Sequence, residues 1–64
     1  MKQRDLLRRL QEIAASKGLE FAFVREGGSH TVYRIGSQRV AIGRHREIPD
    51  QTAHRIIRDA EDLS

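Results

Sequence analysis

Residues 29–44, "SHTVYRIGSQRVAIGR", decide how this chain folds. β-Branched and aromatic residues dominate both halves, which suits strands. Gly36-Ser37 interrupts them as a two-residue turn, with glycine first as a type II′ hairpin prefers. If that turn forms, Ile35 pairs with Gln38, Arg34 with Arg39, Tyr33 with Val40, Thr31 with Ile42 and His30 with Gly43. Paired residues share a face, so Tyr33, Ile35, Val40 and Ile42 make one apolar side. His30, Val32, Arg34, Arg39 and Ala41 lie on the other.

Working outward, residues 19–26, "LEFAFVRE", alternate and read as a further strand, with Leu19, Phe21 and Phe23 on one face. A two-residue Gly27-Gly28 turn would put both phenylalanines on the histidine side. A three-residue loop of Glu26, Gly27 and Gly28 puts them with Tyr33, and this register gathers a single core. Residues 3–17 repeat Leu6, Leu10, Ile13 and Ala14 at helical spacing, with Leu7 beside them. Gly18 then suits a left-handed position just past the helix end. After a loop, "HREIPD", Pro49 disfavours helix at Ile48, and Asp50 is a candidate N-cap. Residues 51–62 place Ala53, Ile56, Ile57 and Ala60 on one helical face. The expectation is one α+β domain over residues 1–64. Its order is α-β-β-β-α, a three-stranded antiparallel sheet with both helices on one face.

Composition narrows the chemistry. The 64 residues carry 12 Lys and Arg against 9 Asp and Glu, and ten of the twelve bases are arginine. Arginine's planar donor fork suits phosphate, so a polyanionic partner is one reading; a solvated charged surface is the other. Without cysteine, a disulfide framework or Cys-based zinc site is excluded. A reducing cytoplasm fits that composition. The longest apolar run, "FAFV", is far too short to span a membrane, and "MKQRDLLRR" has no apolar signal-peptide core. So small a domain leaves no interdomain cleft, and any chemistry belongs on an open face.

On that face stands His30, with Arg34 and Arg39. The two arginines are directly opposed, which is destabilising unless an anion lies between them. An RNA phosphodiester carries its own nucleophile, the 2′-hydroxyl. Its cleavage needs a proton acceptor, a proton donor and cations, and histidine works as either acid or base near neutrality. No metal or other cofactor is required. The competing reading of His30 is a strand-edge histidine with no role. His45 lies between Arg44 and Arg46 in the densest basic cluster, which could track a phosphate backbone. Phosphate contact, a second proton transfer or a plain loop position are open for it. His54 reads as helix surface. No pair of histidines has i,i+4 spacing, so a metal site is not expected.

The stretches "VREGGSHTVYRI", "RVAIGRH" and "TAHRIIRDA" resemble the HicA (YcfA-like) family of mRNA interferase toxins of HicA–HicB toxin–antitoxin systems. The likeness covers roughly residues 4–60. Gly27, Gly43 and Gln51 stand where the family more often has a basic residue, a proline and a glycine. The resemblance implies a fold similar to a double-stranded-RNA-binding domain. It also implies cytoplasmic mRNA cleavage, free or on the ribosome, with the histidine of the Gly-Ser-His segment, here His30, as the catalytic group. A HicB-type antitoxin would cover it. The expected RNA contacts are Ser29, Arg34, Arg39, Arg44, His45 and Arg46. A non-catalytic RNA-binding module of the same fold is the alternative.

Overall fold

The computed structural model describes residues 1–63. The elements are α1 (Gln3–Ser16), β1 (Phe21–Glu26), β2 (His30–Ile35), β3 (Gln38–Gly43) and α2 (Asp50–Glu61). They form one antiparallel sheet in the order β1-β2-β3. The β2–β3 register is the one expected, from Ile35 opposite Gln38 to His30 opposite Gly43. Gly36 has φ of +60° and, among the described residues, no non-glycine has a positive φ. That is the pattern a type II′ turn requires.

The first hairpin reaches the expected facing by another route. The three-residue loop over residues 26–28 does not form. Glu26 pairs with Thr31, and the Gly27 N–H donates to the His30 carbonyl at 2.7 Å. Gly28 and Ser29 make the turn. Alone, this tighter hairpin would send Phe21 and Phe23 to the histidine face. A β-bulge between Phe23 and Arg25 inserts Val24 as an unpaired residue and reverses the parity. Phe21 therefore pairs with Ile35 and Phe23 with Tyr33, and Phe21 stacks on Tyr33 with centroids 5.2 Å apart.

The core lies between this sheet face and the helices. Leu6, Leu10, Ile13 and Ala14 come from α1, Ile35 and Ile42 from the sheet, and Ala53 and Ala60 from α2. Leu19, Phe21, Tyr33, Val40, Ile56 and Ile57 pack around it, partly buried. Phe23 departs from the expectation. It shares the core face with Tyr33 but is 59% exposed, because it lies beyond the helices' cover. It touches Tyr33 only edge-on, at 6.2 Å.

α1 ends as expected. Gly18 takes φ of +70°; the Leu19 N–H donates to Ala14 and the Gly18 N–H to Ala15. This double bond pattern is a Schellman cap. The start of α2 differs. Pro49 is the N-cap, Asp50 is the first helical residue, and no side chain caps the helix. The Asp50 carboxylate instead accepts a bond of 2.8 Å from the Met1 ammonium. A full cation is a stronger partner for it than a backbone N–H. Met1 also exchanges backbone bonds with Ile48, and the Gln3 N–H donates to Arg46. The "HREIPD" segment is thus fastened to the chain start, with Ile48 buried beneath it. No described helix is long and apolar enough to cross a membrane.

Leu10→Ala should lower unfolding free energy by about 2–5 kcal/mol, the range for a buried leucine. Phe23→Ala should lose no more than about 1.5 kcal/mol, the upper value for an aromatic pair. Denaturant titration of both variants checks the contrast.

The Met1–Asp50 pair gives stability a pH window. The hydrogen bond from the ammonium, then its charge, holds the Asp50 carboxyl below its ordinary 3.8. The same bond, with the nearby carboxylates, holds the ammonium above its ordinary 8.0. The carboxylate's contribution is present above 3.8 and lost as pH falls through the lowered value. The ammonium's is present below 8.0 and lost as pH rises through the raised one. Between neutral pH and pH ~10, Asp50→Asn should therefore lose less melting temperature than the parent. Equal losses would remove the pair from the account.

Candidate nucleic-acid interface

The sheet face away from the helices carries side chains from all three strands. β2 contributes His30, Val32 and Arg34; β3 contributes Arg39, Ala41 and Gly43. β1 contributes Ala22, opposite Arg34, and Arg25, opposite Val32. His30 is exposed at the first position of β2. Ser29 Oγ lies 2.9 Å from its Nδ1. When Nδ1–H donates to that hydroxyl, Nε2 presents a lone pair outward; when the hydroxyl donates, Nε2 carries the proton. In both tautomers the ring is held and Nε2 is the working atom. Ser29, expected to contact RNA, is placed to orient His30.

The turn beside this ring is tightly organised. The Arg44 guanidinium bonds Glu26 Oε2 at 2.6 Å and the Gly27 carbonyl at 2.7 Å, and it also bonds the Gly28 carbonyl. Glu26 in turn accepts from the Thr31 hydroxyl, which is buried at 6% exposure. Arg44 thus clamps the loop that aims His30. Alongside the RNA contact expected of it, Arg44, whose side chain is 42% exposed, has this role within the protein. The turn is also crowded. A Cβ at Gly27 would stand 3.0 Å from the His30 carbonyl oxygen, tighter than a real Cβ normally sits.

Arg34 and Arg39 are opposite each other as expected. Their repulsion needs no bound anion, because Arg34 bonds Glu20 at 2.7 Å and the Gly36 carbonyl at 2.9 Å. They stand four residues along the strands from His30 and Gly43, roughly 13 Å at ~3.3 Å per residue. Neither arginine shares a phosphate with His30; they mark the far end of the face. Among the described residues, the guanidinium groups of Arg25, Arg39 and Arg46 make no ion pair or hydrogen bond.

Arg25 is the cation nearest the histidine turn that sequence reasoning missed. A Cβ on Gly27, the residue paired with His30, would lie 3.5 Å from Arg25 Nη1. In an unbroken strand Arg25 would follow Phe21 and Phe23 into the core. An arginine in that register was the available sign of a bulge.

On the other side, His45 approaches the same spot. A Cβ on Gly43 would lie 3.5 Å from His45 Cδ2 and 4.0 Å from His30 Cδ2. Gln3 Nε2 donates to the Gly43 carbonyl at 2.8 Å, joining this end of the face to a groove lined by Lys2, Gln3, Arg4 and Arg46. Lys2 and Arg4 were not expected in the site; the pairing of the chain start with the loop brings them there. Arg46, expected to contact RNA, is exposed and lines this groove. His54 lies on the exposed surface of α2. A groove of about 610 Å³ between β3 and α2 is lined by none of His30, Arg25 and His45.

No family model matches this chain. No curated protein and no solved structure matches it either. The functional reading therefore rests on the geometry and on the sequence resemblance.

Arg44→Ala should lower stability by about 1–2 kcal/mol, since it removes charge-assisted bonds that are partly screened by solvent. Arg46→Ala should leave the melt unchanged and weaken RNA binding, with the salt slope falling by about one. Melts and salt-titrated RNA binding separate the two arginines.

Proposed function

We propose that this protein is a HicA-type toxin, a metal-independent endoribonuclease that cleaves mRNA through His30. The observation that carries the reading is an exposed imidazole, oriented through Nδ1 by Ser29, with the Arg25 guanidinium beside Gly27, the residue opposite it. An open sheet face accepts a long, flexible strand where a cleft would not. His30 Nε2 takes the proton of a 2′-hydroxyl as its oxygen bonds to the adjacent phosphorus; the bond from phosphorus to the 5′-oxygen breaks, and that oxygen takes up a proton. Arg25 opposes the charge that builds on the phosphoryl oxygens. The products are a 2′,3′-cyclic phosphate and a free 5′-hydroxyl. Arg46, Lys2 and Arg4 hold the backbone to one side, and Arg39 meets it at the far end of the face.

The natural restraint on such an enzyme is a protein that covers His30. In this reading it is a HicB-type antitoxin, and the toxin acts in the cytoplasm on mRNA, free or on the ribosome. The non-catalytic alternative has the same basic surfaces but needs no oriented imidazole.

His30→Ala should lower cleavage of single-stranded RNA in chelator-containing buffer by about 100-fold or more, the usual scale for losing a general acid or base. Its melting temperature should match the parent's, because the ring is exposed. A variant that still cleaves RNA and arrests growth would refute the assignment. RNA binding without cleavage by the parent would favour the alternative.

A further inference from the structure

Cleavage of a phosphodiester moves two protons, and one oriented imidazole accounts for one of them. The structure offers a second group on the other side of the same glycine. β3 ends at Gly43 directly opposite His30. With no side chain there, the space above the sheet is bordered by two imidazole rings. His30 Cδ2 and His45 Cδ2 lie 4.0 Å and 3.5 Å from the position a Cβ would take. The convergence is made where the chain bends away from the sheet just past the end of β3, at Arg44 and His45. His45 is held there by its neighbours. The Arg44 N–H donates to the Ser29 carbonyl and the Arg46 carbonyl accepts from Gln3. Both histidines are exposed, so a ribose-phosphate link can reach the gap between them.

We infer that His45 is the second proton-transfer group of this site, donating a proton to the departing 5′-oxygen. This rests on the ribonuclease reading above and extends it. His30 Nε2 accepts the 2′-hydroxyl proton as the 2′-oxygen bonds to phosphorus. The bond from phosphorus to the 5′-oxygen breaks, and the protonated His45 supplies the proton that the leaving alkoxide needs. His30 leaves the cycle protonated and His45 neutral; exchange with water restores both. Because Gly43 has no side chain, the space that both rings border stays open. Ionisable groups near this end of the face include His30 from β2, Arg44 and its partner Glu26, Arg46 and Glu47 on the segment of His45, and Lys2 and Arg4 beside Arg46 in the adjoining groove.

The test compares two substrates that differ only in leaving group: an RNA dinucleotide, and a nucleoside 3′-(4-nitrophenyl phosphate). A nitrophenolate leaves without a proton, so an acid is dispensable for it. His45→Ala and His45→Gln should slow the dinucleotide about 100-fold or more and leave the nitrophenyl ester nearly unchanged. His30→Ala should slow both substrates. Equal loss on both substrates in the His45 variants would make His45 a binding residue and overturn the inference, as would no loss on either. A parent that cleaves neither substrate would instead remove the ribonuclease reading, and this inference with it.

Discussion

The pairing of β2 with β3 is the constraint from which the rest follows. Its register places Ile35 and Ile42 against the helices and, by the same alternation, His30 and Gly43 on the bare face. A slip of one residue would bury the imidazole and expose both isoleucines. Two things oppose that slip. The Gly36-Ser37 turn closes the hairpin at one position, and two fully buried isoleucines have no comparable site in the shifted register. The energy that holds the histidine in solvent is therefore hydrophobic and lies on the opposite side of the sheet.

The second layer of control is polar and local. Arg44, Glu26 and Thr31 form one chain of bonds from the end of β3, through the end of β1, to the second residue of β2. Its product is a fixed turn, and on that turn Ser29 can meet the His30 ring. The basic residues of this chain thus divide by task. Arg34 and Arg44 are neutralised by carboxylates and shape the scaffold, whereas Arg25, Arg39 and Arg46 remain free for an external anion. Net charge alone does not distinguish these groups; the distinction comes from which arginines have a carboxylate within reach.

Much of this was legible in the residues. Gly18 and Gly36 mark a helix end and a turn because each needs a positive φ. The apolar spacing of α1 and the β2–β3 alternation then follow by simple periodicity. What escaped depended on contacts between distant segments. The bulge at Val24 is a compromise between a tight Gly28-Ser29 turn and the burial of Phe21, and neither is visible alone. The roles of Arg44, Asp50, Lys2 and Arg4 depend on which segment comes to lie beside them, as when the first residues of the chain pair with residues 46–48. The exposure of Phe23 reflects how far the helices extend over the sheet, which alternation cannot report.

The irregularity at Val24 has a second effect. A sheet of three strands in sequence order leaves β1 and β3 with unpaired outer edges, and such edges invite a further strand from another molecule. The bulge breaks the even ladder on β1 and increases its local twist, while Glu20, Arg25 and Glu26 put charge along or beside it. The residue that re-aims Arg25 therefore also makes the outer border of the sheet a poor template for fibril-like addition.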